Sequence, residues 1–195
     1  QLSRLERAEE TCWLLTNGLG GFSSLTAAFS AARCDHSLLM SCEQAPNKRR
    51  NLIHRLSEQL ETSDGTCMLS SQRFSGDLPP EDGYLRLSCF RLQDGEPSWL
   101  YHWDGVEVER SVAMLHGENT VAVRYVVQNP AGAPCTLSVS PRLQFTPKGT
   151  DLASGTAFSL DSCCVQSGGT SLFWKTNGKT EAIPFTEEIL YYEYD

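Results

Sequence analysis

From residue 83 to residue 176, apolar and polar positions alternate in short runs cut by turn residues. Tyr84, Arg86, Ser88 and Phe90 fall on one face of an extended chain, with Leu85, Leu87 and Cys89 on the other. Asp94-Gly95 ends that run, and Asp104-Gly105 separates residues 99–103 from 106–112, which is a hairpin signature. Residues 120–128 and 134–145 repeat the pattern on either side of Asn129-Pro130-Ala131-Gly132. Two further strands are expected at residues 159–165 and 171–176, around Gly168-Gly169. Many short strands with regularly placed turns predict an all-β fold, a large antiparallel β-sandwich with little helix.

The first half is less regular. Residues 1–11 read as a short charged helix or a frayed lead-in, and residues 12–15 as a strand entering a glycine-rich stretch. Residues 22–32 are small and weakly patterned, residues 37–42 suit a short buried strand, and residues 45–48 a turn. Residues 51–61 fit two periods at once. Leu52, Ile53, Leu56 and Leu60 lie at near-helical spacing, whereas Leu52, His54, Leu56, Glu58 and Leu60 lie at period two. Ser63-Asp64-Gly65-Thr66 reads as a hairpin turn. No internal repeat or linker interrupts residues 1–195, so a single domain is expected.

Composition narrows the function classes. A net charge of −8 argues against a nucleic-acid partner, which would require a basic face. No apolar run approaches the ~18 residues that cross a bilayer. The first ten residues lack the apolar heart of a signal peptide. The eight cysteines form no Cys-x-x-Cys pair and no compact framework, so reduced thiols and a cytoplasmic location are expected.

Three glycines in four positions mark Trp13-Leu14-Leu15-Thr16-Asn17-Gly18-Leu19-Gly20-Gly21-Phe22. No Lys-Ser/Thr follows, and the spacing is not G-x-G-x-x-G, so a phosphate loop is a poor fit. This run resembles the opening of the N-terminal domain of bacterial and archaeal glycogen debranching enzymes. In that family an Arg-Arg-Tyr-His-Gly-Leu-Leu run follows. Here its place is taken by Arg33-Cys34-Asp35-His36-Ser37-Leu38-Leu39. A third match holds Trp99, Tyr101, Asp104-Gly105-Val106, Glu109-Arg110, Val112, Met114 and His116-Gly117-Glu118-Asn119-Thr120-Val121.

The resemblance implies a supersandwich of galactose-mutarotase-like architecture, with a strand rather than a helix at residues 51–61. It also implies that the catalytic acids belong to a C-terminal α/α toroid domain, expected to lie outside this chain. On that reading the chain by itself is not catalytic. It braces the helical domain and lines the cleft for a glycogen-like glucan whose α-1,6 bonds are hydrolysed. A stand-alone carbohydrate-binding or scaffold module is the alternative, and a mutarotase-like enzyme using His116 and Glu118 the third.

Candidate sugar-contacting or cleft-lining residues are Asn17, Gly18, Gly20, Gly21, Arg33, His36, Trp99, Tyr101 and Trp103. The glycines could offer backbone donors and Asn17 its amide, or the loop could be a sharp corner between sheets. Arg33 and His36 could hydrogen-bond neighbouring hydroxyls. Cys34, Asp35 and Ser37 replace the family's second arginine, tyrosine and glycine, which removes a donor fork and a stacking ring. Trp99, Tyr101 and Trp103 share one face of a strand and could form a sugar platform or fill a core. Cys34, His36 and Cys42 lack a fourth partner at ligand spacing, so neither metal nor cofactor is expected. The 24 acidic residues single out no carboxylate pair for glycoside hydrolysis.

Overall fold

The computed structural model describes residues 2–194. Helix α1 (Leu2–Glu10) leads into β1 (Leu15–Thr16), β2 (Phe22–Ser24), β3 (Ser37–Gln44), β4 (Lys48–Thr62), β5 (Gly65–Met68), β6 (Ser71–Gln72) and β7 (Glu81–Asp82). A single 3-10 turn, Gly83–Leu85, precedes β8 (Leu87–Gln93), β9 (Glu96–Trp103), β10 (Val106–Met114), β11 (Val121–Gln128) and β12 (Thr136–Pro147). The last strands are β13 (Ser159–Asp161), β14 (Cys164–Ser167) and β15 (Thr170–Phe173).

One sheet runs β1-β2-β3-β4-β12 with β5 added to β4, and the other is the meander β11-β10-β9-β8. All pairs are antiparallel. The fold is thus an all-β sandwich, with β13-β14-β15 forming a third, smaller sheet.

The main core lies between the two sheets. Leu38, Leu56 and Leu60 meet Trp99, Tyr101, Val106, Val108 and Val112, and Trp13, Leu25 and Phe29 complete the cluster. Trp99 sits edge-on to Phe29 at 5.0 Å and to Trp13 at 5.5 Å between ring centroids. Arg110 also points inward from β10, with its guanidinium 3.4 Å from the centre of the Phe29 ring. It pairs with Glu58 of β4 and donates to the Tyr101 hydroxyl, while Tyr125 donates to Glu58. The two sheets are therefore joined by an ion pair as well as by apolar contact. Burial pushes the Glu58 carboxyl above its usual range, and Arg110 opposes that push.

β4 reads ambiguously in sequence because both of its faces are covered. Leu56, Glu58 and Leu60 face the main core, and Arg55 and Ser57 lie buried against Glu81. A strand buried on both sides loses the alternation that identifies one buried on one side. Three other stretches depart from expectation. Residues 83–85 turn rather than extend, because Gly83 is pressed onto Leu69 and Ser70 and donates to the Ser70 carbonyl. The entering strand is only Leu15–Thr16, with Cys12 making a lone bridge to Thr26. Residues 159–165 split into β13 and β14 around a turn at residues 162–163.

Residues 25–32 have no regular secondary structure beyond the Thr26 bridge, yet every one is buried. Their backbone groups are paired by side chains reaching in from elsewhere. Gln72 accepts from Ala31 N–H and donates to its carbonyl. The Trp13 indole donates to Thr26 and the Trp99 indole to Ala27. Such pairing permits irregular backbone inside a protein, since an unpaired buried amide is costly. Phe29 takes φ +60 at the tip of the turn, a conformation uncommon outside glycine, held there by Arg110 and Trp99.

A candidate functional site at the glycine corner

The glycine run folds into a corner built around one side chain. Asn17 is fully buried, and its Oδ1 accepts from the backbone N–H of Leu19 and of Gly21, each at 2.9 Å. Its Nδ2 donates to the Glu118 carbonyl at 2.9 Å and to Asn119 Oδ1 at 3.0 Å. Gly117 N–H donates back to the Asn17 carbonyl at 2.7 Å. Asn119 then clamps β3, accepting from Cys42 N–H and donating to the Cys42 carbonyl. Three segments far apart in sequence are thereby locked into one edge: residues 17–21, 42–49 and 115–120.

Glycine is needed here for contact as well as turning. A methyl on Gly21 would lie 2.6 Å from Asn17 Nδ2 and 2.9 Å from the Met40 carbonyl. One on Gly18, which has φ +77, would lie 2.4 Å from the His116 ring. Arg49 closes the side of the corner, donating through Nε to the Gly20 carbonyl and lying over the Phe22 ring. Gly18, Leu19, His116, Gly117 and Glu118 remain exposed along the rim. The amide of Asn17 is consumed by protein contacts, so any sugar met here would touch the rim and not that side chain.

The remaining sequence-predicted residues lie elsewhere. Arg33 and His36 stand at the opposite end of β3 from the corner, since Ser24 pairs with Ser37 while Phe22 pairs with Met40. Six strand steps, about 20 Å, separate His36 from Cys42. His36 is buried, its Nδ1 accepting from Ala32 N–H and its Nε2 3.5 Å from Cys12 Sγ. Arg33 is exposed and lies 5.3 Å over the Tyr194 ring. Among the described residues no three His, Cys, Asp or Glu side chains gather as a metal site.

Trp99 and Tyr101 are 1% exposed and turn their rings into the main core, leaving neither as a platform. Trp103 is half-buried beneath Arg86, 4.6 Å from guanidinium to ring centre. His116 and Glu118 serve the corner locally, one ring over Gly18 and one carboxylate accepting from Thr120.

Glu107 and Glu109 share the outer face of β10 and line a depression of about 130 Å³. That is smaller than the roughly 300 Å³ at which ligand pockets begin. The corner's partners, Asn119 and Cys42, were invisible in sequence because they lie 102 and 25 residues from Asn17.

A second buried polar cluster lies under residues 188–194. His54 hydrogen-bonds Asn51 at 2.9 Å and Tyr192 at 3.2 Å, and burial lowers its pKa to about 3. Arg55 pairs with Glu81 and Glu188, and Arg73 with Glu9 and Glu193. These contacts fasten the last residues across the sandwich.

A family model described as "Glycogen debranching enzyme N terminal" matches residues 11–195. No curated protein and no solved structure matches the chain.

Proposed function

The chain belongs to the glycogen debranching enzyme N-terminal family, and we propose that it is the non-catalytic wall of a glucan-processing enzyme. In this reading it braces a helical catalytic domain that hydrolyses α-1,6 branch linkages, and its glycine corner lines the glucan cleft. The observation that carries the proposal is the corner itself. Asn17, Asn119 and the backbone of β3 are spent on fixing three distant segments, and what they hold in place is an exposed rim that carries the side chains of His116 and Glu118. Polar side chains held in place in this way suit sugar hydroxyls, because little ordering cost is left for the ligand to bear.

Branch-point cleavage tests the reading. The 195-residue chain alone should release no reducing sugar from glycogen. Added to a separately produced helical catalytic domain of the family, it should restore cleavage. Gly18→Ala, which drives a methyl into His116, should weaken that restoration while leaving the circular dichroism spectrum unchanged. Hydrolysis by the chain alone, or full activity of the helical domain without it, would contradict the reading.

A further inference from the structure

We propose that the sheet β13-β14-β15 carries a second carbohydrate-binding surface, remote in sequence from the corner, for a neutral polyhydroxylated chain. Its assignment to the α-glucan class rests on the functional reading above.

An open groove of about 490 Å³ lies at the hairpin end of this sheet, large enough to seat a sugar residue. Its nine lining residues include Phe158, Ser159, Gln166, Thr170 and Ser171, and none carries a charge. That is notable in a chain with 40 charged residues among 195, the sum of 16 basic and 24 acidic. A charged ligand entering here would lose water without meeting a counter-charge. A sugar would instead find hydroxyl and amide groups that both donate and accept.

The strand register arranges these groups. Ser159 pairs with Gln166, and Gln166 with Ser171, so one polar row crosses all three strands. Phe173 follows Ser171 by two positions and shares its face, about 7 Å along the strand. Its side chain is left in water, the residue being 70% exposed. An apolar ring beside a row of neutral hydroxyls matches the two faces of a pyranose, whose C–H groups pack on the ring while its hydroxyls reach the row.

The platform is anchored to the sandwich. Val165 and Leu172 pack from the opposite face onto Leu39, Leu52 and Phe145. Phe158 is held between Phe145 at 5.5 Å and Phe185 at 5.2 Å.

Affinity electrophoresis of the 195-residue chain in gels of increasing glycogen content tests the proposal. The wild-type chain should be retarded. Phe173→Ala and Gln166→Ala should each raise the apparent Kd about tenfold with unchanged melting temperatures, because both side chains are exposed. Leu92→Ala, which removes an exposed apolar group from β8, should migrate as wild type. Retardation of both variants equal to wild type overturns the proposal, as does a wild-type chain that glycogen does not retard. Loss of retardation in His116→Ala alone also overturns it, moving the binding to the corner and leaving the functional reading intact.

Discussion

Two stretches of this chain lack regular secondary structure for opposite reasons. Residues 25–32 run through the interior, and Gln72, Trp13 and Trp99 satisfy their backbone. Residues 174–189 run over the surface, where Ile183, Phe185 and Ile189 stay exposed and the backbone is left largely to water. The difference shows that burial of irregular chain depends on side chains supplied by neighbouring elements. Where none reaches, the chain stays outside, whatever its hydrophobicity.

The most severe way to break the inner stretch is to remove the cation beneath it. Arg110→Leu strips the guanidinium from the Phe29 ring and leaves Glu58 buried without its partner. A loss of about 3–5 kcal/mol is expected in urea unfolding, the range for breaking a buried pair from one side. Adding Glu58→Leu to that variant should recover part of the loss.

Next in size is the acid limb of the stability curve. His54 is neutral in the fold, with its pKa depressed to about 3, whereas in the unfolded chain it takes a proton below its ordinary value of 6.5. Its contribution is therefore complete above pH 6.5 and declines as pH falls towards 3. The slope approaches about 1.4 kcal/mol per pH unit. His54→Gln should flatten unfolding free energies measured between pH 6.5 and 4.5. An unchanged slope would show that His54 is not the group responsible.

Gln72→Ala touches the inner stretch directly by orphaning Ala31, and about 1–3 kcal/mol should be lost. The matching change outside, Ile183→Ser, should cost less than about 0.5 kcal/mol. Limited trypsin digestion makes the same contrast kinetically. Cleavage after Lys175 and Lys179 should precede cleavage after Arg33, which follows the buried Ala31 and Ala32. First cuts at Arg33 would reverse the comparison.

How much of this was legible in the sequence follows from the same physics. β9 and β10 announced themselves because one face is core and the other more exposed, and Asp94-Gly95 and Asp104-Gly105 supplied the turns. The buried Arg110 was not singled out, although a signal existed: Val106, Val108, Arg110 and Val112 are alternate positions, which puts a charge on the apolar face. Leu56, Glu58 and Leu60 carried the complementary signal. Residues 25–32 gave none, being mostly small residues with no period, and Gln72 and Trp99, which pair their backbone, lie 41 and 72 positions away in sequence.

The glycine run was legible as a corner, but not that Asn17 would be used up inside it. Nor could the sequence show that Arg33 and His36 would fall at the far end of β3. The motifs that suggested one site are therefore distributed over two.

The central claim is that the glycine corner is the part of this wall that meets glucan. A titration of the isotope-labelled chain with a linear maltooligosaccharide, followed by amide nuclear magnetic resonance, tests it directly. The account predicts saturable shifts at Gly18, Leu19, Gly117 and Glu118. Corner amides that stay fixed at millimolar sugar, in a chain whose spectrum is otherwise that of the folded protein, would contradict it.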